Sequence, residues 1–222
     1  VAGSSGYRWI LDPIDGTKGY MRGGQYAVAL ALVDAGEVKI GAIGCPNLGA
    51  ECVPETSAMG GVLAVAARGQ GSWQKPLIDE GEFMPLRASA CSEPKHARLF
   101  RSHEASHTNV EQIEALVKHL GSEAEPVLMD SMAKYAVLAA GHGEILVRLL
   151  SPKDPDYREK VWDQAAGSLL IEEAGGRVTD LEGRPLDFTH GRRLEKNRGL
   201  VATNGRLHNA VLEALSAVGA TG

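Results

Sequence analysis

Two early runs, Tyr26–Val33 (YAVALALV) and Val38–Ile43 (VKIGAI), are apolar and rich in residues that favour strands, with Asp34-Ala35-Gly36-Glu37 between them. Apolar runs of this length joined by a polar turn containing glycine predict a β-hairpin. A second hairpin is predicted from Leu63–Ala67 and Ser72–Gln74, which flank Arg-Gly-Gln-Gly. Ahead of both, Tyr7–Leu11 reads as a short strand. It is expected to stop at Asp12-Pro13, because proline has no N–H to give a ladder and restricts the residue before it.

From Pro85 onward strands and helices alternate. ARLFRS (97–102) and PVLM (126–129) read as strands, and Asn109–Leu120 as an amphipathic helix with Val110, Ile113, Leu116 and Val117 on one face. Ser131–Ala140 is predicted as a helix closed by Gly141, Glu144–Leu149 as a strand, and Val161–Ala174 as a helix ended by Gly175-Gly176. Arg177–Thr179 and Gly199–Ala202 complete the strands, and Arg206–Val218 is a last helix. The pattern predicts an antiparallel half followed by an α/β half. Its boundary falls in the polar stretch Lys75–Arg87, dividing the chain into 1–84 and 85–222. The sequence contains neither an internal repeat nor a low-complexity segment.

Composition narrows the function classes. The chain has 222 residues, long enough to bury a substantial core, and it reads as an ordinary soluble protein. No uninterrupted apolar run approaches the ~18 residues of a membrane span, so no membrane partner is expected. A net charge of −5 argues against a broad nucleic-acid surface, while leaving room for a local basic pocket that takes a small anion. Three cysteines, Cys45, Cys52 and Cys91, are an odd number without a metal-type spacing. They are expected to be free thiols in a reducing compartment, which points to the cytoplasm. VAGSSGYRW has no basic region followed by an apolar one and so does not read as a signal peptide. Nothing in the sequence sets an oligomeric state.

The chemistry concentrates in two segments. WILDPIDGT places Asp12 and Asp15 three residues apart, where their charges repel unless a cation lies between them. Hard oxygen donors favour Mg²⁺, Mn²⁺ or Ca²⁺, and the Ile14 carbonyl could add a neutral oxygen. Gly16 permits close backbone approach, and its amide and that of Thr17 could meet a phosphate oxygen. Alone, DPID fits a solvated turn as well. In VWDQAAGSLLIEEAGG, Asp163 stands where a helix begins and could simply be its N-cap. Ala165, Ala166 and Gly167 leave that first turn bare, as required where a backbone packs closely on another element or a ligand.

Together, WILDPIDGTKGYMR and WDQAAGSLLIEEAGG resemble the paired signatures of the inositol monophosphatase superfamily of magnesium-dependent, lithium-sensitive phosphomonoesterases. LDPIDGTKGYMRGGQYAVALAL, GAIGCPNL, DSMAKYAVLAAG and YREKVWDQAAG are most similar to its 3'(2'),5'-bisphosphate nucleotidase branch. The resemblance implies an α/β fold with alternating helix and sheet layers, and removal of the 3'-phosphate from 3'-phosphoadenosine 5'-phosphate, or from its 5'-phosphosulfate. It implies Asp12, the Ile14 carbonyl, Asp15 and Asp163 as Mg²⁺ ligands, with two or three ions in the intact family site. Asp12 and Thr17 would assist an attacking water activated at the metal. Gly16, Thr17, His107, Ser131, Lys134, Arg148 and Asp163 would face the nucleotide. Ser131 and Lys134, three apart at a helix start, could share an anion with its amides. Arg148 could instead be an edge-strand charge and His107 a surface-loop histidine.

The same resemblance implies a further acidic ligand and a base-bearing aspartate ahead of DPIDGT, which the eleven residues before Asp12 do not contain. The chain therefore reads as a fragment or a shortened protein with part of its N-terminal layer missing. It is expected to hold fewer ions, to turn over slowly or not at all, and to leave an apolar sheet face uncovered. The alternatives are an inositol mono- or polyphosphate phosphatase and a non-catalytic nucleotide-binding remnant.

Overall fold

The chain enters its fold along the edge of a sheet. A computed structural model describes residues 6–54, 60–78, 80–102, 109–151, 154 and 156–220. Strand β1 (Tyr7–Asp15) leads through a short helix, α1 (Thr17–Met21), into the predicted hairpin of β2 (Ala27–Asp34) and β3 (Glu37–Cys45). Strands β4 (Val62–Ala67), β5 (Gly71–Pro76) and β6 (Met84–Pro85) follow, giving a six-stranded sheet in the order β1-β2-β3-β4-β5-β6. Each neighbouring pair is antiparallel.

β1 runs four residues past the predicted stop. Pro13 is tolerated because β1 is an edge strand, and because the pairing with β2 slips by one residue between Asp12 and Asp15. Asp12 lies opposite Ala29 and Asp15 opposite Ala27, so three steps on one strand match two on the other.

The second half supplies β7 (Phe100–Arg101), α2 (Val110–Leu120), β8 (Val127–Leu128), α3 (Ala133–Ala139) and β9 (Ile145–Arg148). It continues with α4 (Ala165–Glu173), β10 (Arg177–Thr179), β11 (Leu200–Thr203) and α5 (His208–Ala217). β10, β11 and β9 form an antiparallel sheet in that order, and a parallel bridge from Leu99 to Ile145 places the parallel pair β7-β8 beside it. The layers alternate: the six-stranded sheet, α3 with α4, the second sheet, then α2 with α5.

Side-chain alternation on the second sheet serves both of its neighbours. Leu146, Leu200 and Ala202 face the core around α4, while Ile145, Val147 and Val201 face that around α2 and α5. α4 is buried all round from Ala165 to Ile171 because it lies between two sheets, and Leu169, Leu170 and Ile171 are completely buried. Each contributes roughly 1.5–3 kcal/mol of transfer free energy. The α4 core joins residues from both sides of position 84, from Ala27 to Ala202. Small residues let the helix approach the first sheet: a Cβ on Gly41 of β3 would lie 2.7 Å from the Ala166 carbonyl oxygen.

All four predicted helices are shorter in the structure, and in two of them a backbone break delays the start. Ser131 takes a left-handed φ of 66°, so α3 begins only at Ala133. Ser131 and Lys134 are therefore not one helical turn apart. The predicted helix from Val161 splits into a 3₁₀ turn, Val161–Asp163, and α4, with Gln164 at φ −125° between them. Asp163 does not cap α4, whose start carries no side-chain cap.

The outward face of the first sheet is apolar in register. Trp9 lies opposite Leu32 and then Ile40, while Leu11, Leu30, Ala42, Val65 and Trp73 form a second row across five strands. Trp9 and Leu11 are 60% and 54% exposed, and among the described residues no element covers that face.

Candidate active site

The slip in β1 and the 3₁₀ turn before α4 bring three carboxylates together. Oxygens of Asp12, Asp15 and Asp163 lie within 4.8 Å of one another, all half-buried. Backbone groups fix their aim. The Ile14 N–H donates to Asp12 Oδ1 at 3.2 Å, and the Met132 N–H donates to Asp15 Oδ2. The Thr17 hydroxyl, at the first residue of α1, donates to the Ile14 carbonyl at 3.3 Å.

Gly16 makes this convergence possible. Its φ is 80°, and a Cβ there would lie 2.6 Å from that of Ser131, so the DPIDGT turn and the entry to α3 can touch only at a glycine.

Two of these acids, Asp15 and Asp163, sit where ionisation is opposed. Burial, reinforced by the charge of Asp15, pushes the Asp163 carboxyl up to about 7. Burial also raises Asp15, although the Met132 N–H and Lys134 partly offset it. Two cations border the cluster. Burial and the neighbouring Arg148 bring the Lys134 ammonium down to about 8, against the attraction of Asp15, Asp130 and Glu159. Arg148 Nε is 3.2 Å from Glu159 Oε1, an ion pair that raises the guanidinium further above its ordinary value.

The donor set fits a hard divalent cation. Three carboxylates offer oxygen only, and a central positive charge would offset the burial that raises Asp15 and Asp163 and the repulsion that adds to it. Among the described residues no other group of three or more His, Cys, Asp or Glu side chains has this spacing.

Most of the residues singled out from the sequence meet here. Asp12, Ile14, Asp15, Gly16 and Thr17 come from the end of β1 and the turn into α1, Gly16 packs on Ser131, Lys134 and Arg148 lie near enough to act on the charge of Asp15, and Asp163 joins the carboxylates. Ser131 Oγ accepts from the Ala133 N–H at 3.2 Å. Arg148 ends β9, an edge of the three-stranded sheet, and its partly exposed side chain pairs with the buried Glu159 rather than standing as a lone edge charge. His107 lies outside the described residues. The bare first turn of α4 is explained by packing: Ala166 meets Gly41, and a Cβ on Gly167 would lie 2.4 Å from the Tyr135 ring.

Sequence reading missed a buried polar chain beside the carboxylates. The Tyr135 hydroxyl donates to Gln164 Oε1, and Gln164 Nε2 donates to Glu159 Oε2 at 2.8 Å. Glu159 stands four residues before Asp163 in YREKVWDQAAG, but no local pattern marks it as the partner of Arg148.

The layered fold carries a carboxylate cluster built from an edge strand and a helix entry. A model of the inositol monophosphatase family matches residues 1–220, and the chain belongs to that family. Among curated relatives it is 44% identical over 218 residues to a 3'(2'),5'-bisphosphate nucleotidase from Schizosaccharomyces pombe, covering 97% of this chain and 61% of that protein. It is 42% identical to one from Oryza sativa, covering 96% of this chain and 60% of that protein. The chain thus spans about three-fifths of the length of these relatives. An inositol monophosphatase (IMPase) from Thermotoga maritima superposes with a TM-score of 0.71 at 25% identity, covering 96% of this chain and 69% of that one. The likeness to one from Anabaena, TM-score 0.70 at 24% identity over 95% of this chain and 72% of that one, shows the shared fold. Among the described residues no helix is long and apolar enough to cross a membrane, and all three cysteines are free thiols.

Proposed function

We propose that these residues form the metal-holding and substrate-facing part of a Mg²⁺-dependent phosphomonoesterase that removes the 3'-phosphate of adenosine 3',5'-bisphosphate, leaving AMP. The observation that carries this reading is the meeting of Asp12, Asp15 and Asp163 beside two cationic side chains, Lys134 and Arg148. Relatives named for the bisphosphate reaction support the substrate.

Asp12, Asp15 and Asp163 would hold Mg²⁺, with the Ile14 carbonyl nearby. When bound, the metal supplies charge compensation for the phosphoryl group and lowers the cost of ionising a water. The chain's own groups do the rest. Thr17, hydrogen-bonded to Ile14, presents its hydroxyl where a nucleophilic water is oriented, and Asp12 accepts protons on that side. Lys134 and Arg148 stabilise negative charge on the substrate, and a phosphate distant from the one being cleaved suits the rigid, partly neutralised Arg148. Ser131 and Gly16 line the approach.

Phosphate release from adenosine 3',5'-bisphosphate, followed with and without Mg²⁺ and Li⁺ and in competition with inositol 1-phosphate and fructose 1,6-bisphosphate, tests the reading. Mg²⁺-dependent, Li⁺-inhibited turnover that prefers the nucleotide is expected. Preference for inositol 1-phosphate would replace the substrate assignment. Tight nucleotide binding without turnover at any Mg²⁺ concentration would replace the enzyme by a binding module.

A further inference from the structure

Arg148 is held by a residue that the cluster of carboxylates does not need. Glu159 is 4% exposed and uses both carboxylate oxygens: Oε1 pairs with Arg148 Nε at 3.2 Å, and Oε2 accepts from Gln164 Nε2 at 2.8 Å. Its main chain is pinned as well, since the Leu194 N–H donates to the Glu159 carbonyl at 2.9 Å. Gln164, fully buried, also accepts from the Tyr135 hydroxyl. One carboxylate thus ties the end of β9, the turn that carries Asp163 and, through Gln164, the helix that carries Lys134.

We propose that Glu159 is the positioning residue that sets substrate selectivity: it fixes the Arg148 guanidinium by its Nε, leaving the terminal nitrogens to recognise the second phosphate of a nucleoside bisphosphate. Among the described residues Glu159 is the only acid within ion-pair distance of Arg148. An arginine anchored at Nε has lost most of its rotamer freedom before an anion arrives, so less ordering entropy is spent on binding. Gln164 prevents Glu159 from following the guanidinium outward, because both oxygens are occupied.

This inference rests on the nucleotidase reading, and its test separates the two. Binding of adenosine 3',5'-bisphosphate and of adenosine 3'-phosphate is measured by calorimetry with Ca²⁺ present, and ordering of Arg148 Nε by ¹⁵N relaxation. In Glu159→Gln the selectivity for the bisphosphate is expected to fall about tenfold, the size of one charge-assisted contact. Arg148 Nε is expected to become mobile on the nanosecond scale. Arg148→Lys should lose the same selectivity, and the double variant no more than either single one. Equal loss on both ligands, additive effects, or an Arg148 Nε that stays ordered would overturn the proposal and leave Glu159 a structural acid. If the parent chain binds neither nucleotide, the nucleotidase reading fails, and Arg148 Nε relaxation still decides the clamp. Should Glu159→Gln not fold, Glu159→Asp keeps the charge, shortens the reach by a methylene, and is read in the same way.

Discussion

Asp163 combines two opposing demands in one side chain. Its carboxyl is raised from an ordinary 3.8 to about 7, so the folded chain favours the protonated acid and stability is lost as pH rises from about 4 through 7. Without metal at pH 8, Asp163→Asn should therefore melt higher than the parent by a few degrees, about what 1–2 kcal/mol gives a chain of this size. Adding Mg²⁺ should reverse the order, because the parent alone keeps all three proposed ligands and so gains more from the ion. Thermal melts with and without EDTA check both halves. His208 is a second residue whose charge the fold opposes. It is completely buried, its ring nitrogens meet the hydroxyls of Thr179 and Thr203, and burial lowers it from 6.5 to about 4. Below pH 6.5 the unfolded chain takes up a proton that the folded one refuses, so stability falls with pH down to about 4. The urea midpoint of His208→Gln should fall less over that window than the parent's.

At the scale of elements, the close approach of α4 is the feature most sensitive to a single methyl. Gly167→Ala gains about 1 kcal/mol of helix propensity. It also drives a Cβ into the Tyr135 ring, which Gln164 holds in place. Overpacking of this kind costs about 1–3 kcal/mol, so the variant should melt below the parent despite the better helix former, as calorimetry would show. Elements with their own punctuation were legible in the sequence. α2 has its apolar stripe, Asn109 accepting from the Gln112 N–H, and Gly121 in the left-handed region; the β2-β3 hairpin has Gly36. What was not legible depends on partners distant in sequence. The extension of β1 through Pro13 depends on its having one neighbour, and the break at Gln164 on contacts with Tyr135 and Glu159. The site divides in the same way. Asp12 and Asp15 signalled chemistry by adjacency and Asp163 by resemblance, whereas Glu159 acts on Arg148 eleven residues upstream and left no local mark.

Across the whole molecule, alternation on the strands assigned each sheet its neighbours, and the first sheet has them on one side only among the described residues. Its outward rows are apolar where a solvated antiparallel face would be polar. Trp9→Thr combined with Leu11→Thr should reduce the binding of a hydrophobic fluorescent dye and raise the concentration at which the chain stays monomeric, read by fluorescence and light scattering. Its unfolding free energy should change little, since neither side chain is buried in the core.

Asp12 and Asp15 both belong to β1, which among the described residues has a partner on one side only. An edge strand is among the first parts of a sheet to open, and two of the three carboxylates proposed to hold the ion lie on such a strand. An opening of that edge would remove two of the three proposed ligands at once. The affinity measured for a cation therefore contains the closing equilibrium of β1, and whatever holds that strand down tightens the metal without touching it.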